Sequence, residues 1–208
     1  MAISVVFADK HEICRQGLAA LLNATDGIAP LGQAANGHEA WQLIEKLIPD
    51  VAILEIHLPE ITGIEVVRKI SLAGLATQAI LLTAHEDPLA AVDAQEAGAA
   101  GYVLKANSFE ELVRAVQIVA AGGTFVTPSI RAKLREFPQQ GRATTVLSPR
   151  EREVIRLIAL GKSGKEVAKF MGISPRTVGT YRDRLMNKLQ AHTVADLVRY
   201  AVRTGMVE

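Results

Sequence analysis

Along the first 128 residues, short unbroken apolar runs alternate with stretches whose apolar positions recur every three to four residues. Ile3–Ala8 is apolar almost throughout, which predicts a strand buried on both faces and ending at Asp9-Lys10. Glu12–Asn23 reads as a helix with Ile13, Gly17, Leu18, Leu21 and Leu22 on one face. Residues 31–34 form a short second strand, and 38–47 a second helix with Trp41, Leu43, Ile44 and Leu47 apolar. The clearest strand is 51–56. A loop over 57–63, containing Pro59 and Gly63, leads to a third helix at 64–71. Strand 79–83 precedes helix Pro88–Ala97, and strand Gly101–Leu104 precedes a helix at 108–120, closed by Gly122-Gly123. Five strand–helix units predict an α/β fold, a doubly wound five-stranded parallel sheet with helices on both faces.

Residues 129–145 break this rhythm. Arg131, Lys133 and Arg135, then Pro138-Gln139-Gln140-Gly141, read as a polar linker with a helical turn or two at its start. Beyond it no strand pattern recurs, and 146–208 predicts an all-α four-helix domain. Ser148, Pro149 and Glu151 supply the N-cap, first position and capping-box partner of a helix ending at Gly161. A second helix at 165–171 is closed by Gly172, and Ser174-Pro175 opens a third that runs to about residue 189. The fourth covers Val194–Arg203 and stops at Gly205. The expected division is therefore 1–128, 129–145 and 146–208.

Composition narrows the class. With 49% hydrophobic and 22% charged residues, the chain is not disordered over most of its length. Aromatics are only 4%, so the core must be built from Ala, Leu, Val and Ile. One cysteine, Cys14, excludes a disulfide scaffold or a Cys-rich zinc site and fits a reducing compartment. At this position a small buried residue is the expected role, a redox handle the alternative. No basic-then-apolar leader opens the chain, and no apolar run reaches the roughly 18–20 residues of a membrane span. The expectation is a soluble cytoplasmic protein. Charge is uneven: the net +1 divides into −8 over 1–128, +3 over 129–145 and +6 over 146–208. An acidic module joined to one that meets a polyanion would look like this. Two ordinary solvated surfaces differing by chance are the plain alternative.

In a doubly wound sheet, ligands bind beyond the carboxyl ends of the strands. Asp9 and Lys10, Glu55, Thr83 and Lys105 stand at those ends. The strings F-A-D-K-H at 7–11, L-E-I-H-L-P-E-I-T-G at 54–63, L-L-T-A-H at 81–85 and G-Y-V-L-K at 101–105 resemble the receiver domain of bacterial two-component response regulators. The resemblance implies a pocket for Mg²⁺-dependent aspartyl phosphorylation. Asp9 matches the first acidic metal-holding position, Thr83 and Lys105 match the groups that contact the phosphoryl oxygens, and Tyr102 matches the aromatic switch residue. Two positions depart: the phosphoacceptor position holds Glu55, and the second acidic position holds Lys10.

Physical chemistry gives the consequence. Mg²⁺ demands a near-octahedral shell of oxygens, and a protonated lysine offers no lone pair. Two unit charges about 4 Å apart at an effective dielectric of about 20 interact by about 4 kcal/mol, and a divalent ion facing Lys10 would be repelled by about twice that. The extra methylene of Glu55 moves its carboxylate out by ~1.5 Å, more than in-line attack tolerates. Lys10 is therefore expected to replace the metal charge and pair with Glu55, while Glu55 reaches toward Thr83 and Lys105 in imitation of a phosphorylated state. A salt bridge capping a disused pocket is the alternative.

Residues 147–208 resemble the LuxR/FixJ-type helix-turn-helix over nearly the whole segment, and the chain as a whole resembles a NarL/FixJ-family response regulator. In the helix from Pro175, Val178, Leu185 and Leu189 make an inward stripe beside Tyr181. The opposite surface can enter a major groove of double-stranded DNA. Thr180, Asp183 and Arg184 lie on or near the base-reading face. Arg176, Tyr181 and Lys188 belong to the same surface, and Lys162, Ser163, Lys165 and Thr177 are expected on phosphates. Gly179 departs from the longer side chain often found there. In the last helix Val194, Leu197, Val198, Ala201 and Val202 exceed what a small core needs. The resemblance implies a homodimer formed through Val194, Leu197, Val198 and Ala201, with a core role as the alternative.

The remaining motifs are weaker. His11, His38, His57, His85 and His192 show no metal-ligand spacing, and no metal or cofactor is expected. Gly161-Lys162-Ser163 lacks the earlier glycine of a phosphate loop, since position 156 is Arg. The expected function is a sequence-specific DNA-binding transcriptional regulator, independent of conventional phosphorylation, with a sensor kinase or other protein as its input. The alternatives are a regulator phosphorylated on a non-standard acceptor, and a protein-interaction receiver with secondary DNA binding. An enzyme is not expected, because no nucleophile–base pair or cofactor loop accompanies Asp9, Glu55 and Lys105.

Overall fold

Strands that are apolar at successive positions need cover on both faces, and Val51–Glu55 (β3) is buried at all five residues. The computed structural model describes residues 2–136 and 147–207. Contacts divide the chain into two units, 1–134 and 135–208. In the first unit the strands are Ile3–Ala8 (β1), Ile28–Ala34 (β2), β3, Gln78–Thr83 (β4), Gly101–Leu104 (β5) and Phe125–Val126 (β6), all parallel in the order β2-β1-β3-β4-β5-β6. The expected five strands thus become six. β6 is too short for any alternation to show, and its pairing comes from Phe125 and Thr127 amides donating to Ala100 and Tyr102 carbonyls at 2.9 and 3.0 Å.

Alternation along each strand sends residues to opposite faces. Val5, Phe7, Val51, Ile53, Ile80 and Val103 face Glu12–Asn23 (α1) and Phe109–Ala120 (α5). Val6, Ala8, Ala52 and Leu54 face Gly37–Leu47 (α2), Gly63–Leu72 (α3) and Pro88–Ala97 (α4). On the outer surface of this layer the half-buried Trp41 of α2 lies under Lys69 of α3, whose Nζ is 5.1 Å from the ring centroid. The start of the expected linker is helix Pro128–Glu136 (α6), and its Ile130 and Leu134 join the same core, so the first unit extends to 134. Residues 137–146 of that linker lie outside the described residues.

The α1 face differs from expectation. Leu22 is buried and Leu18 packs beside it, but Ile13 is 81% and Leu21 47% exposed, and Gly17 is exposed with them. Five apolar positions span more of the helix circumference than one sheet face covers. Cys14, expected to be buried, is exposed on the same helix.

The second unit contains Pro149–Ala159 (α7), Gly164–Met171 (α8), Pro175–Lys188 (α9) and Val194–Arg203 (α10). Each opens on a hydroxyl N-cap: Ser148, Ser163, Ser174 and Thr193 accept the amide of the residue three positions on. Val154, Ile155, Val167, Val178, Leu185 and Leu197 are among its buried core residues. No described helix is long and apolar enough to cross a membrane.

Candidate functional site

At the carboxyl edge of the sheet, Gly63 fixes how the β3–α3 loop closes: a Cβ there would stand 2.2 Å from the Glu55 carbonyl oxygen. Glu55, Asp9 and Thr83 are buried at the ends of β3, β1 and β4. The Lys105 ammonium, just past β5, reaches both carboxylates and pairs with Asp9 Oδ2 and Glu55 Oε2. Burial works against the ammonium, but its bonds to Asp9 and Glu55 outweigh this and hold its pKa above the ordinary lysine value.

This corrects the expected Lys10–Glu55 pair. Lys10 is exposed, and among the described residues it makes no ion pair with Glu55. Glu55 meets Lys105, the other lysine it is expected to reach. Thr83 Oγ1 accepts from the His85 amide at 3.1 Å rather than serving Glu55. The other Glu55 oxygen accepts from the His57 amide at 3.4 Å. Tyr102 is turned inward, its hydroxyl donating to the Asp87 carbonyl at 3.4 Å; burial, then Asp87 and Glu55, push its pKa up. His57 is half-buried, its Nε2 without a partner among the described residues, and stands edge-on to His85 at 5.3 Å between ring centroids. Burial lowers its pKa, partly opposed by Glu55. The donor set does not fit Mg²⁺, which takes a shell of oxygen ligands: the Lys105 ammonium lies between the two carboxylates, and Lys10 rather than a further acid follows Asp9.

A feature missed in the sequence lies beside this pocket. Asp9, His11 and Cys14 bring one ligand atom each to within 4.8 Å of one another. The signal was the string Asp9-x-His11-x-x-Cys14, which a search among histidines alone passes over.

In the second unit, Ser174, Arg176, Thr177, Thr180, Tyr181 and Arg184 line a shallow groove along α9. Arg176 and Arg184 are exposed, as is Lys165 on α8, and among the described residues no ion pair engages them. Thr180 Oγ1 donates to the Arg176 carbonyl at 3.2 Å, and Asp183 lies 4.0 Å from Arg182. Lys162 is exposed at the entrance to α8, where its charge lowers the pKa of Glu166 as a minor contributor after the Ser163 hydrogen bonds. Two expected DNA contacts have structural work. Ser163 forms a capping box with Glu166, and Lys188 donates to Glu151 Oε2 at 2.9 Å, tying α9 to α7. Of the expected pairing residues in α10, Leu197 and Ala201 are fully buried, on a helix that packs against α7. Val194 and Val202 are 44% and 45% exposed, with Val198 half-buried between them.

Comparison with known proteins gives two family matches: response regulator receiver domain over residues 5–117, and bacterial regulatory proteins, luxR family, over 145–201. The transcriptional regulatory protein MctR of Rhizobium johnstonii is 32% identical over 206 residues, spanning 99% of this chain and 95% of that protein. Response regulator GacA of Pseudomonas aeruginosa is 33% identical over 210 residues, spanning 99% and 98%. Among solved structures, the complex of the two-component response regulator RcsB with DNA matches at 25% identity and a TM-score of 0.67, covering 97% of this chain and 98% of that one.

Proposed function

Because the chain belongs to the DNA-binding response regulators of the luxR family, with a receiver domain ahead of a helix-turn-helix domain, we propose that it is a sequence-specific transcription regulator that works without Mg²⁺-dependent aspartyl phosphorylation. The observation that carries this is the Lys105 ammonium held between buried Asp9 and Glu55. It neutralises the pocket from within and occupies both carboxylates that phosphorylation would require. Glu55, with its added methylene, is the wrong length for a phosphoacceptor and the right length to meet Lys105.

In this reading α9 enters the major groove, with Thr180, Asp183 and Arg184 toward base edges. Arg176, Thr177, Lys162 and Lys165 hold phosphates and set the register. The stripe of exposed Val194 and Val202 with half-buried Val198 pairs two copies on paired half-sites. The chain performs no catalysis and acts in the cytoplasm.

The test is DNA affinity of the purified chain on genomic-fragment pools, with and without Mg²⁺ and a small-molecule phosphodonor. Tight specific binding that ignores the phosphodonor is expected. Binding that requires the phosphodonor would overturn the mechanism and make Glu55 or a neighbouring carboxylate a working acceptor.

A further inference from the structure

The end of β1 and the first turn of α1 bring three unlike donors together: a carboxylate oxygen of Asp9, a ring nitrogen of His11 and Cys14 Sγ. Asp9 is buried, whereas His11 and Cys14 are exposed, so the cluster has an anchored base and an open mouth. His11 is the N-cap of α1, yet its ring makes no capping bond and turns to Asp9 instead, with Nδ1 3.2 Å from Oδ1. Four-coordinate zinc holds nitrogen and oxygen at about 2.0–2.2 Å, which separates two such ligands by roughly 3.4 Å. The Asp9–His11 pair already has nearly that spacing. Cys14, one helical turn on, needs to close from within 4.8 Å to roughly 3.6 Å, a side-chain adjustment for an exposed residue.

We propose that Asp9, His11 and Cys14 form a site for a borderline divalent transition-metal ion of the Zn²⁺ class, with solvent in the fourth position. The chemistry of the donors selects the ion. Sulfur and imidazole suit zinc and its neighbours, whereas Mg²⁺ takes oxygen ligands. Charge also balances with Lys105 left where it is: the divalent ion and the Lys105 ammonium together face the Asp9 and Glu55 carboxylates and the Cys14 thiolate. The cations around the site engage atoms other than Asp9 Oδ1. Lys105 uses the other Asp9 oxygen, Arg15 donates to the Asp9 and Lys10 carbonyls at 2.8 and 3.2 Å, and Lys10 is exposed. On binding, the Cys14 thiol releases its proton to solvent, and the His11 ring keeps its proton on Nε2 so that Nδ1 presents its lone pair. The His11 amide donating to Asp9 Oδ1 at 2.9 Å orients that carboxylate from behind. The site is independent of whether the pocket is ever phosphorylated.

Titration of the full chain with Co²⁺ tests the proposal, followed by absorption. One Co²⁺ per chain is expected, with thiolate-to-cobalt charge transfer and the intense d–d bands of four-coordination. Zn²⁺ should displace it, and excess Mg²⁺ should not. Cys14→Ser should abolish the charge-transfer band, and His11→Gln should weaken Co²⁺ binding at least about tenfold, both with unchanged far-ultraviolet circular dichroism. Because Cys14 is the only cysteine, its alkylation rate is a second readout that Zn²⁺ should slow in the parent chain and leave unchanged in His11→Gln. Absence of the thiolate band, displacement by Mg²⁺, full binding in His11→Gln, or one Co²⁺ per two chains would each overturn the assignment.

Discussion

Lys105 is the residue on which the receiver pocket depends, since it is the shared partner of two buried carboxylates. Replacing it with Met leaves Asp9 and Glu55 facing each other without compensation. The expected cost is about 3 kcal/mol, as for other buried ion pairs broken on one side, and urea denaturation measures it. Gly17 is the opposite case. It lies mid-helix in α1, and a Cβ there would meet nothing within 4 Å. Gly17→Ala is therefore expected to raise stability by roughly 0.5–1 kcal/mol, visible as a higher melting temperature. Sequence legibility at this scale followed side-chain reach. That Asp9, Glu55, Thr83 and Lys105 share a pocket was readable from strand ends, because topology alone brings them together. That Glu55 pairs with Lys105 and, among the described residues, not with Lys10 was not readable, since by position Glu55 is expected to meet both.

Among the elements, the start of α7 was the most legible feature of the second unit, because its capping box of Ser148 and Glu151 is written in residues three apart. Thr193 and Asp196 at α10 show what such a box contributes. Hydrogen bonds from the Thr193 side chain and amide and from the His192 amide, with Arg199 adding to them, lower the Asp196 pKa to about 2. A depressed carboxylate stabilises the fold above its unfolded pKa, near 3.9, and loses that contribution as pH falls through the folded value. The melting difference between the parent chain and Asp196→Asn should thus be constant above about pH 4 and shrink toward pH 2. Elements whose faces depend on neighbours were less legible. The α1 stripe was read too wide, and in α10 Leu197 and Ala201 could not be told from Val194 and Val198 until α7 was in place. β6 had no pattern to read at all.

At the level of the whole molecule, the acidic first part and basic last part remain the clearest sequence-level pointer to a polyanionic partner. DNA binding should carry a steep salt dependence. Lys165→Ala is expected to weaken binding across all sequences and to reduce the slope of log affinity against log salt by about one. Arg184→Ala should instead relax sequence preference, costing about 1–3 kcal/mol on the best site. Fluorescence anisotropy over a salt series separates the two.

Trp41, beneath Lys69 on the α2–α3 surface, is the only tryptophan, and the helical unit contains only the tyrosines Tyr181 and Tyr200. Indole emission excited apart from tyrosine therefore follows the receiver unit alone, while circular dichroism follows both. The protein comes with a built-in optical label for one half of itself. Whether the two halves melt together can be read from one unmodified sample by asking if the two signals share a midpoint.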